Sequence, residues 1–172
     1  MLLSLRVNAL QISPELRKNL VYELIRNDIF LIEERKNNNF VLDLLFLQSH
    51  ALKHALCALI SVLASTLKGV EYLVQVDMGV LKRIVEILKE QEDGSVTQRF
   101  CIAILQKMSV KEETIKAMVK EGLIEWVLGL LEKAKSAEIH TFALDFASAL
   151  LANVFHAGYT LEALEHNPSF TK

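Results

Sequence analysis

Apolar residues along this chain recur at steps of three and four, and no proline stands between Pro14 and Pro168. A period near 3.6 without sustained alternation predicts an all-α chain. Leu81, Ile84, Val85 and Leu88 fall at i, i+3, i+4 and i+7, and Ile124, Val127, Leu128 and Leu131 fall at the same offsets. Each set forms one apolar stripe on a helix. A broader stripe follows each: Phe100, Cys101, Ile104, Leu105 and Met108 after the first, then Ala143, Leu144, Ala147, Leu150, Leu151 and Val154 after the second. Such breadth suits a central, buried helix.

Aligning these segments exposes a repeat. Gly79 to Lys89 overlays Gly122 to Glu132 at an offset of 43, and Lys68 to Met78 overlays Lys111 to Glu121 at the same offset. A less regular copy runs from Phe40 to Leu47 and Ala51 to Ser65, and the end of an earlier one covers Pro14 to Asp28. A period of about 40 to 47 residues is the range of armadillo and HEAT units. The expected architecture is a right-handed α-solenoid in one domain, 1–172: a partial repeat 1–36, repeats 37–79, 80–122 and 123–166, and a tail 167–172. Each repeat is completed by its neighbours. Because the chain starts inside a repeat and neither end carries a polar capping helix, it reads as a piece or short isoform of a longer protein that self-associates through open ends.

Local signals set the expected boundaries. Ser13-Pro14 places a capping hydroxyl before a proline of the first turn, and Ser95 to Gln98 and Ser109 to Glu112 have capping-box spacing. Gly79 and Gly122 stand where one helix stops and the next departs, a position that favours positive φ. Polar connections are expected at Glu33 to Asn39, Gln91 to Gly94 and Ala134 to Glu138. None is long enough to separate domains.

Composition adds exclusions. A folded chain of 172 residues hides about 70% of its extended surface, enough for a core without disulfides. Cys57 and Cys101 stand alone in apolar stretches and read as buried, reduced thiols of a non-secreted protein. Arg6 and Asn8 interrupt the apolar start Met1 to Leu5, which is no signal peptide, and Ala55 to Ala64 is too short to span a bilayer. With 19 basic against 21 acidic residues, the formal charge of -2 supplies no drive towards nucleic acid or anionic lipid. Proteins are the expected partners.

No sequence pattern commits the chain to a reaction. His50 and His54 share a helical face at metal-ligand spacing but lack the intervening glutamate and a third ligand. His140, His156 and His166 are scattered, and there is no phosphate loop. Glu112 and Glu113 fit a helix start, where they complement the dipole, better than acid–base chemistry. Trp126 borders an apolar stripe and reads as packing before partner anchoring. The mixed charges from Lys82 to Glu121 read as a solvated face. No catalytic residue, metal or cofactor is expected.

Gly122-Leu123-Ile124-Glu125-Trp126-Val127-Leu128-Gly129-Leu130-Leu131, followed by Ala149-Leu150-Leu151-Ala152-Asn153-Val154, resembles the glycine-led second helix and long third helix of armadillo repeats. Ala58 to Ser65, Gly69, Tyr72-Leu73, Ala103 to Ser109 and Ala117-Met118 are more narrowly similar to the armadillo region of LisH-domain proteins of ciliated cells. The resemblance implies a non-enzymatic, cytoplasmic scaffold of the basal body and centriole, acting in cilium assembly, stability or signalling. The family's LisH dimerisation module is not in this chain. Nuclear-import armadillo proteins clamp peptide backbones with an asparagine ladder on successive third helices; here only Asn153 matches, and the preceding positions are Lys107 and Val62. A peptide or cargo receptor of cytoplasm or nucleus is therefore the weaker reading, and a helical enzyme with an unrecognised site the third. If a groove binds partners, Gln106, Lys107 and Asn153 are its expected contacts.

Overall fold

The computed structural model describes residues 13–32, 40–75, 78–134 and 141–158. The amino-terminal stretch before Ser13, the connection 33–39, most of 134–138, His140, His166 and the tail 167–172 lie outside the described residues. Among the described residues there are nine helices and no strand: α1 Pro14–Arg26, α2 Phe40–Phe46, α3 His50–Leu63, α4 Leu67–Val74, α5 Gly79–Glu90, α6 Val96–Met108, α7 Glu112–Lys120, α8 Leu123–Ala134 and α9 Thr141–His156. The all-α expectation holds. The chain divides into two compact units between Ile84 and Val85, inside α5.

In the first unit, α1 packs on α4, and α3 packs on both α2 and α4. Ser13 caps α1 as its spacing predicts, its Oγ accepting the Leu16 N–H at 3.3 Å with Pro14 opening the helix. Ser49 and Thr66 do the same for α3 and α4. From Leu56 to Leu63 every residue of α3 is buried, Ser61 included. The Ser61 hydroxyl meets the cost of its burial by donating to the Ala58 carbonyl at 2.7 Å. Gly69 permits the tight α3–α4 corner: a Cβ there would stand 1.8 Å from the Leu63 carbonyl oxygen.

The buried Arg83 of α5 reaches the end of α2, where its Nε and Nη2 donate to the Leu45 carbonyl at 3.4 Å and its guanidinium lies 4.6 Å from the centre of the Phe46 ring. The short α2 has no basic residue in its own last turn, so a distant side chain supplies the charge that its carbonyl end favours.

In the second unit, α9 packs on α6 and α8, and α7 packs on α8. Ser95 caps α6 through the Gln98 N–H at 3.2 Å. Gln98 reaches back one residue further than a capping box requires, accepting from the Gly94 N–H at 2.7 Å and donating to Asp93 Oδ1 at 3.1 Å. The box expected at Ser109 to Glu112 does not form. Ser109 ends α6, its hydroxyl donating to the Gln106 carbonyl at 2.8 Å, while α7 starts from Lys111 without a side-chain cap. The corner is instead tied by the buried Thr114, which donates to the Lys111 carbonyl at 2.7 Å and also contacts the Met108 carbonyl. Ser109 satisfies a carbonyl in the preceding helix before it can serve the next one.

The helical order recurs. Helices α4, α5 and α6 have 8, 12 and 13 residues, and α7, α8 and α9 have 9, 12 and 16. Corresponding starts, such as Leu67 and Glu112 or Gly79 and Leu123, lie 45 and 44 positions apart, where the sequence overlay gave 43. The aligned glycines explain the slip. Gly122 lies in the turn before α8 with φ +70°, as expected, whereas Gly79 is already helical and the left-handed residue beside it is Met78, at φ +55°. Gly79 answers a packing need: a Cβ there would come within 2.6 Å of Leu42 Cδ1.

The stripe of α5 is buried as predicted, from Leu81 to Leu88. In α8, Ile124 and Val127 are buried, but Leu123 and Leu130 are buried in place of Leu128 and Leu131, which are half-buried. That helix is apolar around most of its circumference, so the pattern underdetermined the face that its neighbours α7 and α9 cover. On α9, Phe146, Leu150 and Val154 form the buried line.

Candidate functional site

The three sequence-predicted groove residues lie on two helices of the second unit. Gln106 is exposed and Lys107 half-buried near the end of α6; Asn153 is half-buried in the last turns of α9. Packing of α9 on α6 brings Asn153 to the helix end that Ser109 closes. Asn153 Nδ2 donates to Ser109 Oγ at 2.7 Å, and Ser109 in turn donates to the Gln106 carbonyl. The hydroxyl is thus acceptor on one side and donor on the other, which fixes the Asn153 amide. Among the described residues Asn153 Oδ1 accepts no hydrogen bond.

A half-open cleft of about 230 Å³ adjoins this relay, lined by Asn153, Ser109, Val110, Glu112, Ile115 and His156. Lys107 is not part of that lining. Val110, at the corner, is 67% exposed, and Phe155, beside His156, is also exposed. The arrangement thus sets an oriented amide among apolar groups at a wet surface, a chemistry suited to holding a peptide backbone. At the rim, Lys116 Nζ lies 2.6 Å from Glu112 Oε1, and that hydrogen bond and charge hold the exposed Glu112 carboxyl below its ordinary range. Sequence reasoning named the amide but not Val110, Ile115 or the acceptor role of Ser109. Only the separation of 44 positions between Ser109 and Asn153, one repeat length, hinted at the pairing.

The other chemical candidates stay apart. His50 opens α3 and is exposed, with His54 half-buried one turn on. Among the described residues no group of three or more His, Cys, Asp or Glu side chains is placed to hold a metal ion. Cys57 and Cys101 are both buried, and neither is part of a disulfide. Trp126 is half-buried on α8. Among the described residues no helix is long and apolar enough to cross a membrane.

Curated proteins supply the remaining comparison. The chain is 31% identical over 140 residues to the LisH domain-containing protein ARMC9 of Rattus norvegicus, which covers 81% of this chain and 19% of the relative. It is 32% identical to the Mus musculus protein and 30% identical to the Homo sapiens protein of that name, each over 140 residues, 81% of this chain and 17% of the relative. The chain therefore spans about a fifth or less of the length of the curated relatives it matches. No protein-family model matches it, and no solved structure does.

Proposed function

We propose that this chain, homologous to part of the ARMC9 proteins of vertebrates, is a non-enzymatic armadillo-type module that binds other proteins and serves a scaffold at the ciliary basal body or centriole. The observation that carries the reading is the similarity over 140 residues to LisH domain-containing protein ARMC9 of several vertebrates, met by a helical order that recurs in threes. The cleft beside Asn153 gives the module a surface on which to do it. An amide presents donor and acceptor together, which is what an extended peptide backbone presents in return.

The alternative of a receptor for basic peptides lacks support along the helices. Val62 is buried, and Lys107 would bring a positive charge where such a cargo needs an amide or an acid. Two experiments test the proposal at different levels. Fluorescent tagging of this protein in ciliated cells should give foci coincident with a basal-body marker; diffuse cytosolic or nuclear signal overturns the ciliary assignment. Proximity labelling followed by pull-down should then give partners that weaken against a Lys107→Glu, Asn153→Ala chain. Partners held at undiminished affinity would remove the cleft from the binding surface while leaving the scaffold reading intact.

A further inference from the structure

A second recess lies in the first unit, at the start of α1 and α4, and its chemistry is the reverse of the Asn153 cleft. It is half-open, with a volume of about 540 Å³, within the range of sites that take a ligand the size of a few side chains. Among the described residues its lining includes Arg17, Lys18, Lys68, Tyr22, Thr66 and Leu67, and no carboxylate. Lys18 Nζ and Lys68 Nζ lie 5.6 and 5.4 Å from the centre of one ring, that of Tyr22. The ring's negative face draws both ammonium groups, at the cost of setting two like charges on one side chain. Among the described residues neither lysine makes an ion pair. The amino-terminal ends of α1 and α4, at Pro14 and Thr66, border the same space and add partial positive charge.

The chain as a whole carries a formal charge of -2, so this concentration of cations is local and not a property of the surface at large. Leu67 lines the recess while remaining 58% exposed, which sets an apolar group beside the charges. An inorganic anion would use the charges and leave the leucine in water. A membrane read by basic residues generally meets four to eight of them together, and among the described residues the recess has three. A peptide with acidic and apolar side chains uses both features.

We propose that this recess binds an acidic peptide segment of a partner protein, Lys18 and Lys68 meeting its carboxylates and Leu67 an adjacent apolar side chain. The site is separate from the Asn153 cleft and does not depend on that cleft's function. The test is fluorescence anisotropy on the full 172-residue chain with a labelled peptide of glutamates and leucines. Saturable binding that weakens with added salt is expected. Lys68→Glu should weaken it about tenfold, since an attraction becomes a repulsion. Arg26→Glu, an exposed site at the opposite end of α1, about 18 Å along the helix from Pro14 and with the same change in net charge, should leave it within about twofold because screening removes distant charges. A glutamate at the second position of α4 complements the helix dipole, so the Lys68→Glu chain should fold, as circular dichroism can verify.

Absence of saturable binding, equal weakening by both substitutions, or indifference to Lys68→Glu would overturn the proposal. So would Lys68-dependent binding to phosphatidylserine vesicles with none to the peptide. Asn153→Ala should not alter the peptide affinity, and this keeps failure here distinct from failure of the scaffold reading.

Discussion

The hydroxyl of Tyr72 on α4 donates to Asp28 Oδ1 at 2.6 Å, across 44 positions of sequence, and accepts the Phe30 N–H at 3.0 Å. The same carboxylate oxygen accepts the Ile32 N–H at 2.8 Å. One buried phenol and one acid thus hold the turn that follows α1, where Asp28 and Leu31 adopt φ of +42° and +52°. Left-handed backbone at two residues other than glycine costs about 1–2 kcal/mol each, and the tie to Tyr72 offsets it.

Tyr72→Phe removes that tie with little change of volume. The Phe30 N–H loses its buried acceptor, so the expected cost is about 1–3 kcal/mol, measurable by urea denaturation at neutral pH. Burial, then the hydrogen bond and charge of Asp28, push the Tyr72 pKa well above its ordinary value of 10.0. The folded chain therefore keeps a proton that the unfolded chain gives up. This contribution is complete below about pH 10 and is lost as pH rises through and beyond that value. The stability gap between the wild-type and Tyr72→Phe chains should narrow above about pH 10; a gap constant up to about pH 11 would contradict the assignment.

The glycines separate close approach from mere flexibility. Gly69→Ala places a methyl against the Leu63 carbonyl, a backbone atom that cannot swing aside, and should cost about 3 kcal/mol. At Gly79 the obstructing atom is the end of the Leu42 side chain, so alanine there should cost less than at Gly69. At Gly129, inside α8, a Cβ meets nothing within 4 Å, and alanine should stabilise by about 0.5–1 kcal/mol. Thermal melts of the three variants should fall in that order.

Met78 and Gly122 make opposite predictions from the same backbone region. Met78→Gly relieves a left-handed residue at φ +55° and should raise stability by up to about 1 kcal/mol. Gly122→Ala introduces the strain at φ +70°, and its methyl would lie 3.2 Å from Lys89 Nζ, which donates to the Glu121 carbonyl at the end of α7. A loss of about 1–2 kcal/mol is expected. Equal melting temperatures for Gly122→Ala and wild type would show that the turn re-forms without that φ.

Asn153→Asp tests the amide relay at constant size. Ser109 spends its proton on the Gln106 carbonyl, so its oxygen needs a donor from α9, and a carboxylate has none. The variant should lose more stability than Asn153→Ala, which should cost about 1 kcal/mol. A double-mutant cycle with Ser109→Ala should return a coupling of comparable size for the alanine pair.

What the sequence carried was local. The 3.6-residue pattern located the helices because a helix buries residues spaced along its own chain, and Ser13 and Ser95 foretold their caps because a cap bonds three residues away. Asn153 was legible as a candidate contact because one side chain bears both donor and acceptor. Tertiary structure decided the rest. It turned Ser109 from a cap into the acceptor for Asn153, gave Gly79 a packing role in place of a turn, chose the buried face of an almost wholly apolar α8, and assigned Tyr72, Arg83 and Lys89 to backbone or acid groups 32 to 44 positions away. Such partners lie outside the 3.6-residue period of the helices that carry them. Whether a hydroxyl, a glycine or a charge serves its own helix or another is set by which chain ends packing brings together, and that depends on the whole core.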